Sequence, residues 1–145
     1  MKCFVFTSFV LVLLTVIAEA RIGETLDQIR ARYGEGQKGG PRIPGTEKFE
    51  FKKDGYTIDV SFFDGISVME FFHRHDTKIT DDDIKDLLKN YIEGVRFTWS
   101  ARDKIFKSSN KKLTAGRQIG HDDWFFVKDT AAIEALGGEG KAKGL

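Results

Sequence analysis

Two histidines close the stretch FFHRHD, and their spacing suits a zinc site on extended chain, because alternate residues of a strand project from the same side. His73 and His75 supply two ligands; a third is required. His121 is the remaining histidine, with Asp76, Asp122 and Asp123 as carboxylate alternatives. Spacing alone does not define that third position. The plainer expectation for the pair is therefore hydrogen bonding or capping at the margin of a core, and no cofactor is expected. A second constellation is acidic: the hairpin register described below aligns Glu50, Asp59 and Glu70 across three neighbouring strands. Like charges directly opposite one another are unfavourable. Either Lys48 and Lys52 neutralise the row from the diagonals, or the carboxylates share a proton or a cation and form a ligand surface with the histidines. No motif of nucleophilic catalysis stands out: there is no Gly-x-Ser-x-Gly elbow, the single cysteine, Cys3, precedes an apolar leader, and spacing alone does not bring a histidine and a serine together. A non-enzymatic protein is the expected reading. A metal- or carboxylate-dependent hydrolase is the alternative that His73, His75 and the acidic row keep open.

The elements that must position these residues are marked by turns. Asp54-Gly55 and Asp64-Gly65 interrupt alternating apolar residues, and each pair is the signature of a two-residue hairpin turn. Centring the turns there predicts that Phe51 faces Ile58 and Phe49 faces Val60. It also predicts that Val60 faces Met69 and Ile58 faces Phe71, all on one side of an antiparallel meander. The other side collects Lys48, Glu50, Lys52, Thr57, Asp59, Ser61 and Glu70. Phe63, Ile66, Val68 and Phe72 are its apolar exceptions and form a candidate partner patch, unless the second half of the chain covers them.

Two helices flank the meander. Thr25 followed by Gln28 is a capping-box pattern, Leu26, Ile29 and Tyr33 make one apolar stripe, and Gly34 ends it. Thr80 caps the second helix, Asp81, Asp82 and Asp83 sit at its positive end, and Ile84, Leu87, Leu88 and Tyr91 repeat at helical spacing. The glycine-rich connection after the first helix lacks the preceding strand and the terminal Lys-Ser/Thr of a phosphate loop. The second half repeats the order more loosely: Phe97 and Trp99 alternate, a Ser108-Ser109-Asn110 turn follows, and WFFV comes after Gly120-His121-Asp122-Asp123. The expected fold class is α+β, an antiparallel meander with helices packed on one face. Two degenerate helix-plus-meander repeats, residues 22–76 and 77–130, are plausible within one domain, residues 21–136, followed by a disordered tail, residues 137–145.

Lys2 and an apolar run of about 15 residues up to Ala18 precede Ala18-Glu19-Ala20, an Ala-x-Ala cleavage pattern. Residues 1–20 are expected to be a secretory signal peptide, because a bilayer span takes about 18 to 20 apolar residues. Secretion or periplasmic residence follows, with no integral membrane segment after cleavage. The chain carries 23 basic and 22 acidic side chains, so no net charge drives it to nucleic acid, and no basic stripe is visible.

Gly23, Thr25, Gln28, Ile29, Tyr33 and Gly34, followed by the meander, resemble the SmpA/OmlA family over about residues 22–73. That family, like the secreted β-lactamase-inhibitor proteins built from a tandem related unit, packs helices on an antiparallel sheet. The resemblance implies an extracytoplasmic, non-enzymatic protein that works by binding another protein, and it implies no catalytic residues. This chain has no lipid-anchor cysteine, and it carries Gly34-Glu35-Gly36 where the family has glycine-x-proline.

Overall fold

The structure, a computed structural model, describes residues 22–89, 91 and 94–142 of the 145-residue chain. The expected signal peptide lies outside the described residues. Helix α1 (Leu26–Tyr33) precedes β1 (Gln37–Gly39), β2 (Glu47–Lys53), β3 (Tyr56–Phe63) and β4 (Ile66–His73). Helix α2 (Asp81–Lys89) precedes β5 (Phe97–Ser100), β6 (Ile105–Ser108), β7 (Leu113–Arg117) and β8 (Trp124–Asp129), and α3 (Thr130–Ala142) follows. The strands form one antiparallel sheet in the order β1-β2-β3-β4-β8-β7-β6-β5. The fold is α+β. Two four-strand meanders, each led by a helix, meet through their last strands.

Local chemistry explains the starts and turns. The Gln28 amide donates to Thr25 Oγ1 at 3.4 Å, and the Thr25 amide donates back to Gln28 Oε1 at 2.9 Å. α2 opens with the same reciprocal device, Asp83 taking the place of glutamine: its amide donates to Thr80 Oγ1 at 3.1 Å and its carboxylate accepts from the Thr80 amide at 2.7 Å. In both hairpins the central residues have positive φ, Asp54 and Gly55 at 51° and 79°, Asp64 and Gly65 at 49° and 78°. That is the turn whose twist matches paired strands. Gly36 is required for a different reason: a Cβ there would overlap the Phe51 ring.

The first hairpin has the expected register, Phe49 opposite Val60 and Phe51 opposite Ile58. The second does not. Phe62 pairs with Ser67 but Ser61 pairs with Met69, so β4 carries one extra residue, Val68, at a bulge. From there on Val60 faces Glu70 and Ile58 faces Phe72, while Met69 and Phe71 face Ser61 and Asp59. The expectation that Met69 and Phe71 share a side with Phe49, Ile58 and Val60 is thereby corrected. The cause is non-local. The start of β4 serves two partners: the Gly23 and Glu24 amides donate to Ser67 Oγ at 3.1 and 3.0 Å, the Ser67 amide donates to the Glu24 carbonyl at 2.8 Å, and Thr25 bridges Ile66. Local alternation could not reveal the shift, because β4 is buried on both faces and a doubly covered strand shows no sorting of side chains.

On one face α1 and α2 cover the core. Ile29 from α1 and Ile84 and Leu88 from α2 pack with Phe51, Ile58, Val60, Phe72, Phe125 and Val127. The opposite face is closed in its centre. Helix α3 contacts β4 and β8, and Leu136 lies 3.7 Å from the Cβ position of Gly45 in the β1–β2 connection. From that connection Arg42 lies across the rings of Phe71 and Trp124, at 4.3 and 4.7 Å. An Asp129 cap, which accepts from the Ala132 amide at 2.9 Å, starts α3. Its backbone runs to Ala142, beyond residue 136 where the sequence suggests the folded domain ends. Glycines weaken a helix by about 1 kcal/mol each without removing a donor as proline would.

Candidate functional site

Glu50 and Asp59 are neighbours on β2 and β3, as expected, but the β4 residue opposite Asp59 is Phe71. The three-carboxylate row is not assembled. Asp59 is instead met by two cations, Arg42 Nη2 at 2.9 Å and Lys48 Nζ at 3.4 Å; Lys48 is one of the two lysines expected to balance the row, and Arg42 takes the place expected of Lys52. His73 and His75 do lie together. The His73 ring stacks on Trp124 at 4.2 Å and its Nε2 is 3.1 Å from Asp123 Oδ2, whereas His75 Nε2 is 3.1 Å from Thr57 Oγ1. The two rings meet edge to face at 4.4 Å. Their Nε2 atoms are thus engaged with separate partners. Among the described residues no group of three or more histidine, cysteine, aspartate or glutamate side chains is arranged to hold a metal ion.

Glu70 lies on the opposite face, with 0% exposure. Tyr91 Oη donates to its Oε2 at 2.9 Å, and Oε1 has no partner among the described residues. Removal from water pushes its carboxyl up to about 7, against the opposing pull of the Tyr91 hydrogen bond and Arg32. Burial and the charge of Glu70 also hold the Tyr33 and Tyr91 hydroxyls well above their ordinary range. Arg32 bonds Glu24 through Nη2. The result is an enclosed polar seam between the two halves, in which a carboxyl keeps a proton near neutrality. With no exposed surface, Glu70 reaches no substrate.

The candidate partner patch is divided by the same bulge. Phe72, 2% exposed, packs in the helix-covered core, and Val68 is buried. Phe63 is half-buried, which leaves Ile66, 39% exposed, without the apolar neighbours that would make a surface.

The open apolar surface is elsewhere. Trp99, 51% exposed, and Ile119, 94% exposed, line one groove between α2 and the strands β5 to β7. Its volume is about 500 Å³, within the usual range for ligand sites. Trp99 faces Phe106, which faces Ala115, which faces Val127, so the floor is an outward extension of the helix-covered face. The rings of Trp99 and Phe106 are 5.0 Å apart. A second hollow of about 340 Å³ shares Ile84, Lys85 and Phe106 and continues along α2 past Leu88 to Val95 and Phe97. Lys104 and Arg117 border the first hollow, Lys89 and Arg96 the second. Asp81 is the acidic residue lining the groove, and it is already paired with Arg117 at 2.8 Å. This groove is not among the sites expected from the sequence. The alternation of Phe97 and Trp99 was its signal, but a strand pattern does not say that the strand will be last in its sheet.

No protein-family model matches the sequence, and no curated protein matches it. Among solved structures, the chain is similar to a cysteine-rich secretory protein from Staphylococcus aureus subsp. aureus Mu50, with 12% identity and a TM-score of 0.47. The similarity covers 79% of this chain and 50% of that one, so the chain spans about half the length of that neighbour.

Proposed function

We propose that this chain is an exported, non-enzymatic module that works by binding another protein, with the groove between α2 and β5–β7 as its contact surface. The single observation that carries the reading is that Trp99 and Ile119, two of the large apolar residues left exposed, lie on the same groove. Tryptophan is the residue type most enriched where a few side chains supply most of a binding energy. Export rests on the expected leader, residues 1–20, which places the working chain in the periplasm or outside the cell. The repeated order of a helix followed by four strands agrees with a tandem of SmpA/OmlA-like units, and we extend the proposal to that kinship. A hydrolase reading draws no support from the acidic row, since Glu70 stands apart from Glu50 and Asp59.

The test is affinity capture from periplasmic extract or culture fluid of the source cells, with the natural protein and a Trp99→Ala/Ile119→Ser variant in parallel. The expected result is a protein retained by the first and lost with the second. Recovery of the same proteins by both would reject the groove as the contact surface.

A further inference from the structure

The groove lies beside an edge strand, and the two features together define a kind of partner. We infer that the protein captures an extended, acidic segment of its partner, which adds as a ninth strand along β5 with its apolar side chains in the groove. This rests on the protein-binding reading and specifies its chemistry.

β5 is the outermost strand of its end of the sheet, so one side of its backbone pairs with β6 and the other has no strand beside it among the described residues. Such an edge is a template for another chain unless it is blunted by charge, proline or cover. β5 reads Phe-Thr-Trp-Ser and has neither charge nor proline. The opposite edge, β1, has Lys38 in its middle, paired with Glu47 at 2.6 Å. The hollows run beside β5 along α2, from Trp99 at one end to Phe97 and Val95 at the other. A strand added at this edge directs every second side chain to the groove side of the sheet.

The charge of the rim selects the sequence of that strand. Lys85 and Arg117 are paired with Asp82 and Asp81, but Lys89, Arg96 and Lys104 have no ion pair among the described residues. Three cations bordering a groove whose acidic lining is already neutralised favour carboxylates and oppose lysines. Ile119 and Trp99 are too open to enclose a small amphiphile, which an apolar site usually buries by 70 to 90%. They suit a chain that lies across them.

The experiment uses the protein as its cells make it and an array of decapeptides in which Glu or Asp alternates with Val, Leu, Phe or Tyr. Each peptide stands beside a counterpart with Lys in place of the acids. At least one acidic member is expected to bind, its lysine counterpart about ten-fold or more weaker. N-methylation of alternate peptide amides of one parity should abolish binding and methylation of the other parity should leave it, because only one side of an added strand pairs with the edge. Hydrogen exchange should slow at the amides of Phe97–Ser100. Trp99→Ala should weaken binding at least about ten-fold, and Lys38→Ala at the other edge should not, with circular dichroism verifying that each variant is folded. Equal binding of acidic and basic arrays, equal sensitivity to both methylation parities, or protection at β1 would each overturn the inference. So would an array with no binding member, or saturable binding of dodecanoate in the groove in place of any peptide. Trp99-dependent capture of a cellular partner without any array binding would leave the protein-binding reading standing while this inference falls.

Discussion

One row of paired residues crosses the whole sheet on the helix-covered face, from Lys38 on β1 through Phe49, Val60, Glu70, Val127, Ala115 and Phe106 to Trp99 on β5. Its two ends are built differently. At the first, Lys38 lies over the Phe49 ring at 5.9 Å and binds Glu47, so the edge ends in a solvated charge. At the second, the row ends in a half-exposed indole beside a groove. Similar halves, each a helix followed by four strands, have thus been closed at one end and left open at the other. The closed half spends its apolar residues on its own core: Phe51 is 1% exposed and meets Tyr33 at 5.7 Å. The open half keeps some of its aromatic surface in reserve.

The largest expected effect tests that division directly. Phe51→Ala should destabilise the protein by about 3 to 5 kcal/mol, the usual cost of emptying a buried phenylalanine site. Trp99→Ala should stay within about 1 kcal/mol, since half of the side chain is already in water. Urea unfolding of both variants measures the contrast. Equal losses would mean that Trp99 belongs to the core and that the groove is not a free surface.

The next effect concerns the middle of the row, where Glu70 joins the halves through Tyr91 while Arg32 and Glu24 lie on the α1 side. Its carboxyl is raised from 4.5 to about 7 on folding, so the folded state binds the proton more tightly than the unfolded chain does. The stability held by that proton is complete below pH 4.5 and is lost as pH rises through about 7. The full difference is about 3 kcal/mol for a shift of this size. Glu70→Gln should therefore flatten the fall in stability between pH 4.5 and about 7, as read by urea midpoints across that window. An unchanged slope in the variant would show that Glu70 is not the titrating group.

The sequence puts Glu70 on the wrong face and the turns in the right places because these features are determined over different ranges of the chain. The Asp54-Gly55 and Asp64-Gly65 turns and the two threonine caps depend on residues within three or four positions, and all four were legible. The first hairpin register followed from one of those turns. The bulge at Val68 depends on Gly23 and Glu24 binding Ser67 more than forty residues away, and no local pattern reports it. Everything that assumed an unshifted β4, including the acidic row and the patch at Phe63, Ile66, Val68 and Phe72, fell with it. The groove was out of reach for a related reason: the exposure of Trp99 depends on β4 pairing with β8, which puts β5 at the sheet's edge. That His73 and His75 are neighbours is legible in the sequence, because residues two apart need only local geometry. Their partners, Asp123 and Thr57, come from other strands or loops.

The smallest expected effect compares the starts of the two helices. Thr25→Ala and Thr80→Ala should each cost about 1 kcal/mol at neutral pH, because each removes a side-chain acceptor for the amide three residues on. The reciprocal partners differ in kind, however. Gln28 is neutral, while Asp83 is a carboxylate whose hydrogen bonds from Thr80 lower its affinity for a proton below that of an ordinary aspartate. A lowered folded value means that the stability it supplies is present above pH 3.8 and disappears as pH falls through the folded value. Once the pH has fallen below that value the α2 box loses its charge-assisted arm and the α1 box keeps both arms. The cost of Thr80→Ala should shrink in that acid range while the cost of Thr25→Ala holds steady. Thermal unfolding of the two variants from pH 7 to pH 2 reads the difference. Parallel curves for both would mean that the Asp83 carboxylate contributes nothing to holding α2 over the floor of the groove.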